Sequence, residues 1–77
     1  MNKLRRTAIK EVATKLGELL RDVEAIRDAE EEDFHNLPED IQNGAEGKAM
    51  QNVLYAFVGT CVSIFEAEDI LEKVVNA

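Results

Sequence analysis

Residues 7–26 read TAIKEVATKLGELLRDVEAI, and their apolar members decide the fold. Ile9, Val12, Leu16, Leu19, Val23 and Ile26 follow one another at steps of 3, 4, 3, 4 and 3. That is the heptad seam of a helix that lies along a second helix. Ala13 and Leu20 widen it, and Lys, Arg, Glu and Asp fill the remaining face. Gly17 stands in the middle, at a cost of roughly 1 kcal/mol relative to alanine.

Toward the C-terminus the periodicity breaks at residues 34–48, FHNLPEDIQNGAEGK. Pro38 suits the first position of a short helix, where its missing N–H is not needed. Glu39 and Asp40 then fall in the first turn, where carboxylates answer the helix dipole. Asn43-Gly44 is a stop signal. Phe34, Leu37 and Ile41 share one side, so the segment reads as a connector that plugs the end of a hairpin.

Beyond it a second long helix is predicted. Met50, Val53, Phe57, Ile64, Leu71 and Val74 form one apolar stripe, and Leu54, Val58, Cys61 and Phe65 a second. One neighbouring helix cannot cover both, and a helix apolar on most of its circumference is buried from more than one side. The expected fold is therefore all-α: an antiparallel two-helix hairpin, with helix one over about 3–32, a short helical connector over 33–45 and helix two over about 46–76. Two copies are expected to close a four-helix bundle, with Leu54, Val58, Cys61 and Phe65 as the oligomer interface.

Size and charge narrow the function classes. A single domain of 77 residues and 8.6 kDa needs a staple, very good packing or a partner. The lone Cys61 rules out an internal disulfide, and there is no Cys/His cluster for zinc. No charge falls between Ala49 and Phe65. The polar Gln51, Asn52, Thr60 and Ser63 within that run argue against a membrane span of about 20 apolar residues. No apolar leader follows the basic start, and a cytoplasmic location is expected. The net charge of −7 disfavours direct nucleic-acid binding.

That charge is unevenly spread. Residues 1–27 carry +3, residues 28–47 carry −8 with no Lys or Arg, and residues 48–77 carry −2. Helix one thus begins basic and ends acidic, against its own dipole. An antiparallel pair of copies would set the basic head of one beside the acidic end of the other.

Catalytic chemistry has little support. His35 could join Glu31, Glu32 or Asp33 around a divalent ion, but a fraying helix end holds ligands poorly. Cys61 reads as a small core residue, because about 25 Å of helix separates it from the connector that carries His35. Gly44 and Gly47 do not make a phosphate loop. Gly17 and Gly59 are expected at similar heights of the hairpin, where they would permit close packing. No enzyme activity, cofactor or metal is expected.

The connector carries a resemblance. Glu31-Glu32-Asp33, Phe34, Asn36-Leu37-Pro38-Glu39, Gln42 and Gly47-Lys48-Ala49-Met50 resemble a group of small helical-hairpin proteins of phages and other mobile elements. The likeness runs over almost the full chain and includes Arg5-Arg6. Helix two is more apolar here than the Glu-rich version of that group. The resemblance implies a helical hairpin and a mobile-element origin, without a mechanism.

The expected function is a non-catalytic interaction protein that binds and inhibits a host defence or regulatory protein. Its partner surface would comprise Glu30, Glu31, Glu32, Asp33, Phe34, Glu39 and Asp40, an acidic face able to mimic nucleic acid in a basic groove. The alternative is an oligomeric sponge for a small anion such as a signalling nucleotide, held by Arg5, Arg6, Lys10 and Lys48.

Overall fold

The computed structural model describes residues 1–77. It has three helices: α1 over Lys3–His35, α2 over Glu39–Gln42 and α3 over Ala45–Val75. α1 and α3 run antiparallel along most of their length, and α2 packs on α3 at the connecting end. The shape is a rod of 58 × 14 × 12 Å. No strand is present, and no helix is long and apolar enough to cross a membrane.

Local chemistry explains the element ends. The Asn2 side chain caps α1 by accepting a hydrogen bond from the Arg5 N–H at 2.8 Å, which satisfies one of the free donors of the first turn. Pro38 caps α2 rather than beginning it, and Glu39 and Asp40 fill its first turn. α1 runs on through Phe34 and His35, so the predicted helix end at 32 falls one turn short.

Each helix keeps alternate members of its predicted seam and exchanges the others for the next residue in the sequence. On α1 the inward positions are Ile9, Ala13, Leu16, Leu20, Val23, Arg27 and Phe34; Val12, Leu19 and Ile26 face solvent. On α3 they are Met50, Leu54, Phe57, Cys61, Ile64, Leu71 and Val75, while Val53 and Val74 turn outward. The reason lies at the connector. The series Val12, Leu19, Ile26 ends seven residues on at Asp33, whereas Ala13, Leu20, Arg27 ends at Phe34. Burying the Phe34 ring, which is 8% exposed, sets the rotation of α1.

The connector is held by one side chain. The Gln42 Nε2 donates to the carbonyls of Leu37 at 3.0 Å, Phe34 at 3.2 Å and His35 at 3.4 Å, and the Phe34 carbonyl also accepts from the Leu37 N–H at 3.1 Å. Gly47 is buried directly against it. A Cβ there would stand 2.0 Å from the Gln42 carbonyl oxygen.

Gly17 and Gly59 do not meet. Gly17 faces the Glu68 carboxylate, and nothing lies within 4 Å of a Cβ built on Gly59. The connector stacks beyond the end of α1 and shifts the register, so Glu68 takes the place expected for Gly59. Gly59→Ala should therefore stabilise the chain by roughly 0.5–1 kcal/mol, since an open mid-helix glycine costs only backbone entropy. A thermal melt checks it, and a lowered midpoint would mean that Gly59 has a contact of its own.

Candidate interaction surface

Only five of 77 residues are buried, none of them polar. Twelve large apolar side chains are exposed, among them Leu19, Tyr55, Phe65 and Ile70. Helical geometry sorts the outward residues beside the seam onto two flanks of the rod.

The first flank carries three shallow grooves in a row, of about 410, 320 and 250 Å³. The one nearest the connector is bounded by Arg27, Glu31, His35, Gln51, Tyr55 and Val58. The middle one lies between Leu20 and Glu24 of α1 and Val62, Phe65 and Glu66 of α3. The third is polar, with Lys10 and Arg21 opposite Glu68 and Glu72. Along this flank Tyr55, Val58, Val62 and Phe65 form a ridge one helical turn apart, and Tyr55 is 70% and Phe65 61% exposed.

Acidic groups rim the ridge. Glu31 lies 3.6 Å from the His35 Nε2, and Arg27 bonds Asp28 at 2.9 Å with Glu24 at 3.9 Å. The Asp28 carboxylate on its guanidinium holds Arg27 above even the usual arginine range. Arg27 is thereby tied to its own helix.

The second flank bears Val12, Leu19 and Ile26 from α1, all about half exposed. From α3 it bears Val53, Thr60, Ala67 and Val74, backed by Ala49, Ala56, Ser63 and Ile70. The α3 set recurs as 49, 53, 56, 60, 63, 67, 70 and 74 without a charge. It is a second heptad seam directly beside the first.

The residues anticipated as functional are placed as follows. Glu31, Glu32, Asp33, Glu39 and Asp40 are exposed around the connector end, and Glu30 is half-buried. Phe34 is turned inward and offers no ring to a partner. The stripe expected as an oligomer interface divides: Leu54 and Cys61 belong to the seam with α1, whereas Val58 and Phe65 face outward. Arg5, Arg6 and Lys10 lie at the opposite end of the rod from Lys48, so one chain does not gather them into an anion site. The basic head is also partly answered in the chain, because the acidic last third of α3 runs beside it.

Of the carboxylates near His35, only Glu31 comes beside it, and no three His, Cys, Asp or Glu side chains converge on one point. Cys61 is buried and shares no groove with His35. Tyr55 and Val62 of the ridge were not singled out in the sequence, whereas Val58 and Phe65 were expected at an oligomer interface with Leu54 and Cys61; the i, i+3, i+4 recurrence that joins the four was available there. Comparison with known families, curated proteins and solved structures finds no match to this chain.

Proposed function

We propose that this protein is a small non-catalytic interaction protein that binds a partner protein and blocks it by occupancy. The partner segment is an amphipathic, basic helix. Its apolar side would lie along Tyr55, Val58, Val62 and Phe65, and its cations would meet Glu24, Glu31 and the acidic connector end. The exposed aromatic ridge beside carboxylates carries this reading: large apolar anchors at helical spacing are how one helix takes another into a groove, and aromatic side chains dominate such contacts. The resemblance of the connector to mobile-element proteins supports a host defence or regulatory protein as the target.

The test compares what the immobilised chain captures from a bacterial lysate with what two variants capture. One variant is Tyr55→Ala with Phe65→Ala. The other is Glu30→Gln, Glu31→Gln, Glu32→Gln with Asp33→Asn. A protein with a basic helical segment should be retained by the native chain, and its affinity should fall by about 30-fold or more in the aromatic variant. The charge variant should lose it mainly through a slower on-rate. Capture that is indifferent to both variants would overturn the proposal.

A further inference from the structure

The second flank remains uncovered, and its charges identify what covers it. Outward of the seam, α1 presents Arg5, Val12, Leu19, Ile26 and Asp33 in one row, and Ala8, Lys15, Asp22 and Ala29 in the next. Set against a second α1 running antiparallel about Leu19, these rows match themselves. Arg5 meets Asp33, Val12 meets Ile26, and Leu19 meets its own copy. In the second row, one residue or about 1.5 Å out of step with the first, Ala8 falls beside Ala29 and Lys15 beside Asp22. None of these four charged side chains has an ion pair within its own chain.

We infer that this flank is a two-fold interface between copies of the chain, with the two α1 helices antiparallel and centred on Leu19. A self-matching row is what a two-fold contact requires, since each residue must face the mirror position of its own sequence.

The α3 helices support the same arrangement. About the same axis, the uncharged positions Thr60, Ser63, Ala67, Ile70 and Val74 fall against each other. The Thr60 hydroxyl already donates to the Ala56 carbonyl at 2.9 Å, so covering it strands no donor. Opposite-end pairing also separates the two −8 connectors, whereas a same-end pair would set them side by side. The exposed area agrees: the single chain presents 5705 Å², about 1,000 Å² more than a typical folded monomer of its mass. That excess is comparable to the roughly 800 Å² per partner of a standard interface. The interface stands on the flank opposite the aromatic ridge and shares only Asp33 with the acidic connector end.

Charge exchange tests it. The native chain should sediment as twice its 8.6 kDa mass at low salt. Lys15→Glu alone and Asp22→Lys alone should each weaken the dimer by roughly tenfold, because each breaks two symmetry-related pairs and sets like charges opposite. The double exchange should restore it. Leu19→Cys in a Cys61→Ala background should crosslink to itself under a mild oxidant. Val12→Cys should not, yet it should crosslink when mixed with Ile26→Cys. A native monomer at high micromolar concentration, a double exchange as weak as the single ones, or self-crosslinking of Val12→Cys in place of Leu19→Cys would each overturn the inference.

Discussion

Gly47→Ala is expected to lower the melting midpoint by about 12 °C or more, the largest loss from any glycine in the chain. The new Cβ would stand 2.0 Å from the Gln42 carbonyl oxygen, and this neighbour is backbone, which cannot swing aside. α2 must lift from α3, and Gln42 must release the carbonyls of Phe34 and Leu37 that it holds. Overpacking of this kind costs up to ~3 kcal/mol, and each kcal/mol moves the midpoint of a chain this small by about 4–8 °C. Gly44 is the control: a Cβ there meets only ordinary contacts at 3.4 Å and beyond, and its extended backbone suits a side-chain cap. Gly44→Ser should melt at or above the native temperature. A Gly47→Ala chain within 2–3 °C of native, a shift of less than about 1 kcal/mol, would mean that α2 does not pack on α3 as described.

The second large effect is expected at Phe34. Truncation to alanine in a packed site costs about 3–5 kcal/mol, against a total stability of roughly 4–12 kcal/mol for a chain of this length. Phe34→Ala should therefore remove a quarter or more of the stability, and Phe34→Leu should recover much of it. The loss should be local first. Amide exchange at Gln42 to Met50 should accelerate before exchange in the middle of the rod. A Phe34→Ala chain that melts like the native one, with unchanged exchange at the connector, would return this ring to the list of partner contacts.

These two residues also mark what the sequence made legible. The hairpin, its connector and the three helices followed from 3–4 spacing, Pro38 and Asn43-Gly44, because those signals are local. The rotation of each helix did not follow. Both helices carry two adjacent apolar seams, and periodicity alone cannot choose between Val12 and Ala13 or between Val53 and Leu54. A non-local event decides: Phe34, at the far end of α1, has to be buried. For the same reason Cys61 was assigned to the outer stripe and the aromatic ridge was overlooked. Gly47 was read as part of a failed phosphate loop and of the connector resemblance, not as a packing position, since its contact with Gln42 depends on how α2 folds back. The acidic character of the connector end was fully visible, being a matter of composition.

The uneven charge along the rod has a kinetic consequence. A single hairpin carries −8 within residues 28–47, while the remaining residues sum to +1, so a free chain is an elongated electric dipole. In the proposed antiparallel pair the two dipoles cancel, while a net charge of −14 (twice −7) remains. Two chains of −7 each repel at long range, and their dipoles turn the connector of one away from the connector of the other as they close. Once joined, the pair repels a third chain more strongly than one chain repels another. Added salt should screen this repulsion and hasten the meeting, and it should weaken the Arg5–Asp33 and Lys15–Asp22 contacts once the pair has formed. Repulsion of this kind also limits growth, because the pair carries a −8 connector at each end.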